Sequence, residues 1–111
     1  MLAKPNRLTR GSDYKAIVRR GVRCAATHTV TYVGTGVEHA PPRFGFIVSK
    51  QVGSAVVRNT VRRRLKAVCA EMLPEVRPGA DVVIRALPGA STADFGMLRD
   101  EVTRCLRRKA A

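Results

Sequence analysis

The sequence predicts a mixed α+β fold, a two-layer sandwich of helices on one β-sheet. Apolar residues recur at helical spacing in three segments, whereas other segments alternate as strands do or are continuously apolar. The predicted order is α-β-β-α-β-α, in which the first strand region could be one strand or two. The chain has 111 residues, 45% of them hydrophobic, with no linker or internal repeat. We therefore expect one domain, residues 1–111, with a single core.

A basic arm and a short helix are predicted at the start of the chain. Residues 1–11 are expected to form an extended arm. Ser12 offers an N-cap for a helix over residues 13–20, which Gly21 ends.

Three segments are predicted to be strands. Residues 27–33 (THTVTYV) alternate and place Val30 and Tyr32 on one face. Residues 43–50 (RFGFIVSK) also alternate, and residues 81–87 (DVVIRAL) are apolar enough for a buried central strand.

Two longer helices complete the prediction. One begins after Gly53 and ends at Pro74, and it carries many basic residues. The last follows a possible capping box of Ser91 and Asp94. Its inner face is formed by Phe95, Leu98, Val102 and Leu106.

The charge of the chain is unusual for its size. It has 21 Lys and Arg against 8 Asp and Glu, a formal net charge of +13. Such an imbalance costs stability through self-repulsion and predicts a polyanionic partner, with nucleic acid the first candidate. No stretch is apolar enough to span a bilayer, and the N-terminus lacks the apolar region of a secretory signal. We therefore predict a cytoplasmic protein with no membrane partner.

The cysteines and acidic residues suggest no chemistry. Cys24, Cys69 and Cys105 form no C-x-x-C pair, so we expect free thiols that pack in the interior and no metal site. The eight acids are scattered, and Glu101 is expected on an exposed helix face. Because hydrolysis needs clustered carboxylates or a paired acid and base, no catalytic residue is predicted.

The basic helix has a core-facing stripe, so it is not a disordered tail. The stripe occupies a sector of about 120° and comprises Val57, Val61, Leu65, Val68, Cys69 and Met72. Arg58, Arg62 and Lys66 lie beside it at i, i+4 and i+8, and Asn59 and Arg63 form a second row. A solvated face would mix charges, whereas this segment has no acid before Glu71. The pattern favours a row of guanidinium groups along a phosphate backbone.

The polyanion is predicted to be RNA and not DNA. Strands flank the basic helix on both sides, which does not fit a helix-turn-helix, and folded RNA is recognised by its shape and phosphate pattern. Lys50 and free amides near Gly53 and Ser54 offer a further anion site. Tyr14 and Tyr32 could stack on bases or pack in the core, and the sequence does not decide between the two.

A motif in this region resembles that of bacterial ribonuclease P protein subunits. The pattern is K-x-x-G-x-A-V-x-R-N-x-x-R-R, formed here by Lys50, Gly53, Ala55, Val56, Arg58, Asn59, Arg62 and Arg63. RLTRGSDYKAIVRRG resembles that family's first helix, and RFGFIVSKQVG its strand leading to the motif. Size, charge and element order agree as well, so the resemblance covers nearly the whole chain.

The resemblance implies a specific function. The family assists a catalytic RNA that removes the 5′ leader of precursor tRNA, with Mg²⁺ held mainly by the RNA and no nucleophile from the protein. It also implies a left-handed β-α-β crossover around the basic helix. The implied surface for the RNA subunit is Lys50, Gly53, Ser54, Arg58, Asn59, Arg62, Arg63 and Lys66. The implied leader-binding cleft is Tyr14, Val18, Val30 and Tyr32.

Two residues depart from the family pattern. Thr60 stands where a basic residue is usual, which removes one phosphate contact or transfers it to Arg64. Val18 stands where an aromatic residue is common. The alternative functions are a small basic ribosomal protein and a protein-only nuclease. The sequence leaves the oligomeric state open.

Overall fold

The computed structural model describes residues 2–111 and confirms the mixed α+β fold. It contains three α-helices and one four-stranded sheet. In chain order the elements are α1 (Gly11–Arg20), β1 (Val22–Ala25), β2 (Thr29–Thr35), β3 (Arg43–Ile47), α2 (Ala55–Met72), β4 (Ala80–Ala86) and α3 (Phe95–Lys109). The first strand region is thus two strands.

The sheet order is β1-β2-β4-β3, so β1 and β3 are the edge strands. The pairs β1–β2 and β2–β4 are antiparallel, whereas β3 and β4 are parallel. Parallel neighbours require a crossover connection, and α2 supplies it between β3 and β4. The left hand of this crossover stays a prediction from the family resemblance.

Helices lie on both faces of the sheet. Alternate residues of β2 and β4 point to opposite faces because side chains alternate along a strand. Val33, Val82 and Ile84 join the main core with residues of α2 and α3. On the other face, Tyr32 and Val83 pack against Ile17 of α1 and neighbouring residues. The sandwich therefore consists of the sheet with α2 and α3, and α1 covers part of the opposite face.

The helix boundaries differ from the prediction at two N-termini. Helix α1 begins at Gly11, and its N-cap, Arg10, makes no side-chain cap, so Ser12 does not have the predicted role. Helix α3 is capped by Asp94, whose carboxylate accepts a hydrogen bond from the Met97 amide at 2.8 Å. Ser91 instead lies in a preceding 3₁₀ turn and donates to the carbonyl of Pro88. Asp94 satisfies the free amide directly, so no capping box with Ser91 is needed.

Two of the three cysteines are bonded, contrary to the expectation of free thiols. Cys24 of β1 and Cys105 of α3 form a disulfide, with their Cα atoms 5.7 Å apart. They are 81 residues apart in the chain, so only the packing of α3 beside β1 brings them together. Cys69 is free and buried as predicted, and its burial raises the pKa of its thiol.

Two acidic residues are buried and paired. Glu101 lies under the turn between β1 and β2, where it accepts hydrogen bonds from the His28 amide at 2.9 Å and the Thr29 hydroxyl at 3.2 Å. The imidazole of His28 contacts the other carboxylate oxygen. The expected exposed position of Glu101 is therefore wrong, because α3 turns this residue towards the sheet. Asp81 is also buried and accepts a two-point contact from Arg43.

Candidate nucleic-acid interface

The basic face of α2 has no carboxylate partners in the structure. Its apolar stripe is buried in the main core, as predicted, which fixes the orientation of the polar side. Arg58 and Arg62 are half-buried, while Arg63 and Lys66 are exposed. The ion pairs found within residues 2–111 involve none of these four cations. Arg62 donates instead to the Asn59 side-chain oxygen at 2.9 Å. The positive charge of this face is thus left for an external anion.

The N-terminal arm lies against this basic face. Leu2 is buried in the main core, and Leu8 is buried on the other face of the sheet. Arg7 donates to the Leu2 carbonyl at 3.0 Å, and its backbone bridges to Phe44 of β3. Between arm and helix lies a concavity of about 350 Å³, lined by Leu2, Arg7, Asn59, Arg62, Arg63, Lys66 and Ala67. We call Arg58, Arg62, Arg63 and Lys66 of α2, together with Arg7, the α2 surface.

Arg7 was not among the predicted site residues. The sequence predicted an extended arm, and the arm is indeed mostly irregular, with one 3₁₀ turn at Lys4–Asn6. The two leucines among its charges were the signal that it is anchored, because apolar side chains in a basic segment gain free energy by burial.

The start of α2 is built by Gly53 and Ser54. The Ser54 hydroxyl oxygen accepts a hydrogen bond from the Val57 amide, a standard N-cap. The amide of Gly53 donates to the Lys50 carbonyl at 3.2 Å. The prediction that this amide is free is therefore wrong. Gly53 has φ 155°, and a Cβ there would lie 2.8 Å from Cγ1 of Val57. Gly53 therefore allows the chain to turn sharply into α2. The first amides of the helix have no partner within the helix backbone, as at any helix N-terminus.

The four predicted cleft residues lie together where α1 crosses the sheet. Tyr14 and Val18 are half-buried on α1, and Val30 and Tyr32 are buried on β2. The Tyr14 hydroxyl donates to the Leu8 carbonyl and accepts from the Phe46 amide, both at 3.3 Å. Only 7% of Tyr32 is exposed, so its ring mainly supports the cleft. Tyr14 presents the more accessible aromatic surface.

Three cations surround this cleft that the sequence prediction did not name. Lys15 and Arg19 line a concavity of about 350 Å³ with Tyr14, Val18 and Ile47. Arg85 is exposed on β4, with Val30 opposite it on β2 and Ile47 opposite it on β3. The signal for Arg85 was a basic residue directly after the apolar run Val82–Ile84. We call the cluster of Tyr14, Val18, Val30 and Tyr32, with these three cations, the sheet cleft.

The predicted departures have local explanations. The hydroxyl of Thr60 donates to the Val56 carbonyl one turn earlier, so its side chain is turned back onto the helix. Arg64 donates to the carbonyl of Ala93, just before α3, at 3.3 Å. Arg64 therefore contacts the loop before α3.

No group of side chains suited to a metal ion is found in residues 2–111. Likewise, none of the helices in this part of the chain is long and apolar enough to cross a membrane. Magnesium held mainly by the RNA stays a prediction from the family resemblance.

Comparison with known proteins identifies the family. The model of the ribonuclease P protein family matches residues 2–110. The chain belongs to the ribonuclease P protein family. The ribonuclease P protein component of Clavibacter michiganensis is 50% identical over 108 residues, covering 97% of this chain and 96% of the relative. The ribonuclease P protein component of Mycolicibacterium paratuberculosis is 43% identical over 115 residues, covering 100% of this chain and 97% of the relative. The resemblance drawn from the motif is thus confirmed, as are the bacterial and tRNA-processing associations of the family.

Solved ribonuclease P proteins share the fold. The protein of Staphylococcus aureus superimposes with a TM-score of 0.83 at 22% identity, covering 95% of each chain. That of Thermotoga maritima gives 0.82 at 21% identity, covering 95% of this chain and 98% of the other. At this level of identity the likeness concerns the fold alone.

Proposed function

We propose that the protein is the RNA-binding subunit of a bacterial ribonuclease P. In this function it binds the catalytic RNA and the 5′ leader of precursor tRNA, and it promotes endonucleolytic removal of the leader in the cytoplasm. The observation that carries the proposal is the α2 surface, a fixed row of cations without carboxylate partners in a ribonuclease P family member. An unpaired guanidinium row on a rigid helix matches the periodic charge of a phosphate backbone.

The α2 surface is proposed to hold the RNA subunit. Arg58, Arg62 and Lys66 are one helical turn apart, about 5.4 to 6 Å, so successive side chains can contact successive phosphates of one strand. Asn59 orients Arg62, and Arg7 adds a cation from the arm. Lys50, Gly53 and Ser54 form the entry to the helix, where its positive dipole end adds to the local field.

The sheet cleft is proposed to hold the single-stranded leader. A leader strand offers unpaired bases and phosphates, and the cleft offers both kinds of partner. The exposed part of the Tyr14 ring and the aliphatic side chain of Val18 would contact bases. Lys15, Arg19 and Arg85 would contact phosphates. Val30 and Tyr32 form the floor and keep these side chains in place.

Catalysis is proposed to lie with the RNA and its Mg²⁺. The acids of the protein that lie in its interior already have partners: Asp81 bonds to Arg43 and Glu101 bonds to His28 and Thr29. A carboxylate engaged in this way is a poor general base or metal ligand. The protein therefore contributes charge and positioning, which lower the salt and magnesium that the RNA needs.

Reconstituted cleavage tests the proposal. The protein is added to ribonuclease P RNA and leader-bearing precursor tRNA at limiting magnesium. We expect the wild-type protein to raise cleavage well above that of RNA alone, and Arg58→Ala with Arg62→Ala to lose most of this stimulation. A matched control, Arg99→Ala with Lys109→Ala, removes the same charge from exposed positions of α3. If the wild-type protein gives no stimulation, the proposal fails and a ribosomal RNA-binding protein becomes the better interpretation. Cleavage by protein free of RNA would instead indicate a protein-only nuclease.

A further inference from the structure

A further basic surface lies at the β1 edge of the sheet. Helix α2 and the N-terminal arm are next to edge strand β3, whereas α3 packs on β1 and β2. The second half of α3 carries Arg104, Arg107 and Arg108, all exposed. Helices α2 and α3 pack against each other, with the α2 surface on the β3 side of the pair and these arginines on the β1 side.

Two of these arginines share a polar concavity with β1. Arg104 and Arg108 lie beside the disulfide and the turn that follows β1, around a space of about 140 Å³ lined otherwise by Cys24, Ala25, Ala26, Thr27 and Cys105. This space is large enough to admit a phosphate group. No acidic side chain lines it. The disulfide joins its two walls, because Cys24 belongs to β1 and Cys105 to α3.

The same two arginines also border a wider outer concavity. It measures about 540 Å³ and is lined by Asp100, Thr103, Arg104, Arg107 and Arg108. Arg107 is neutralised by Glu75, which it contacts at 3.0 Å, and Asp100 is an acid on the rim. Arg104 and Arg108 have no ion-pair partner within residues 2–111. The net positive charge of this surface thus resides mainly on these two side chains.

Stabilisation of the helix end does not account for Arg104. Cations favour a helix C-terminus, but the effect fades within the last turn. Arg104 is five residues before Lys109, where α3 ends, so it lies beyond that turn. It instead lines, together with Arg108, the concavity beside β1.

We propose that this β1–α3 edge is an additional RNA-binding surface besides the α2 surface and the sheet cleft, where Arg104 and Arg108 hold a phosphate of an RNA backbone segment distinct from that on the α2 surface. The proposal rests on the proposed function. An RNA backbone is the partner that fits, because neither concavity contains an aromatic or large aliphatic side chain. Protein partners need such anchors at the centre of an interface, and base stacking needs an aromatic side chain. With the α2 surface on the β3 side and this surface on the β1 side, the protein can bridge two segments of a folded RNA.

The salt dependence of RNA affinity tests this surface directly. The affinity of the protein for ribonuclease P RNA is measured between about 0.05 and 0.3 M salt, a range in which binding to a phosphate backbone depends strongly on salt. Replacing Arg104 and Arg108 by Ala should weaken binding by roughly tenfold and make the slope of log affinity against log salt shallower by about one to two. Arg104→Lys with Arg108→Lys should retain most of the slope. The control pair Arg99→Ala with Lys109→Ala should keep the wild-type slope.

Footprinting of the RNA locates the contact. Arg104→Ala with Arg108→Ala should expose one protected backbone segment, and Arg58→Ala with Arg62→Ala a different one. The proposal is overturned if the first pair behaves like the control pair or exposes the same segment as the second. If it binds RNA normally but loses binding to vesicles of anionic phospholipid, the surface serves a membrane and the proposal is wrong. Absence of specific RNA binding by the wild-type protein would overturn the proposed function itself, so the two failures are distinguishable.

Discussion

Arg85 lies at the middle of the sheet face that α1 leaves open, although the neighbouring residues of its strand, Val82 to Ile84, are fully buried. A charged side chain in a central strand costs free energy unless it reaches solvent or a partner. Arg85 is exposed, and its neighbours across the sheet are Val30 of the sheet cleft and Ile47 of β3. In the proposed function, this exposed cation is a phosphate contact for the leader.

Replacing Arg85 by Ala should weaken binding of leader-bearing precursor tRNA to the assembled holoenzyme. The expected loss is about five- to thirtyfold, because one charge-assisted phosphate contact contributes about 1 to 2 kcal/mol. Affinity for mature tRNA, which has no leader, should stay unchanged. Equal losses for both substrates, or none for either, would remove Arg85 from the leader site. Arg99→Ala is the matched control.

At the level of elements, α3 is attached to the edge of the sheet by two different links. The disulfide joins it to β1, and buried Glu101 bonds to the turn that leads into β2. These links hold the walls of the β1–α3 edge in a fixed relation. The C-terminal helix is therefore part of the rigid body that presents both basic surfaces.

Removing the disulfide should destabilise the fold without abolishing it. Cys24→Ser with Cys105→Ser should lower the free energy of unfolding by about 2 to 4 kcal/mol, because the bond closes a loop between residues 81 apart in the chain. Denaturant unfolding measures the difference, and thiol titration of the denatured wild type without reductant should find one thiol, that of Cys69. Three titratable thiols, with stability equal to that of the variant, would contradict the bonded state.

Across the whole molecule, the parts that were predictable from the sequence were those with a periodic signal. The apolar stripe of α2 predicted both its helix and the direction of its basic face, and the alternation in β2 placed Val30 and Tyr32 together. The motif identified the family, which two curated relatives confirm. These features are local, so a single segment contains the information.

The features that were missed depend on contacts between distant segments. β1 has four residues and one buried side chain, too short for a periodic signal. The pairing of Cys24 with Cys105, the docking of Leu2 on the core and the burial of Glu101 each join parts of the chain that no local pattern connects. Arg7 and Arg85 were missed for the same reason, since the topology brings them beside surfaces formed by other elements.

The molecule as a whole carries a net charge of +13 on a scaffold that fixes where the cations lie. Charge of this size attracts any polyanion, so affinity alone does not reveal a function. What distinguishes an RNA subunit is geometric selection, in which cations held on α2 fit the phosphates of one folded RNA better than those of an arbitrary polymer.

Competition binding at an ionic strength near 0.15 M, where long-range attraction is largely screened, measures this selection most directly. Labelled ribonuclease P RNA is bound to the protein and displaced by unlabelled ribonuclease P RNA, by an unrelated RNA duplex or by heparin. We expect the unlabelled ribonuclease P RNA to displace the label at concentrations at least about tenfold lower than the others, a selectivity of about 1.4 kcal/mol. Equal displacement by all three competitors would contradict the account, because it would show that the fold adds no selectivity to the charge.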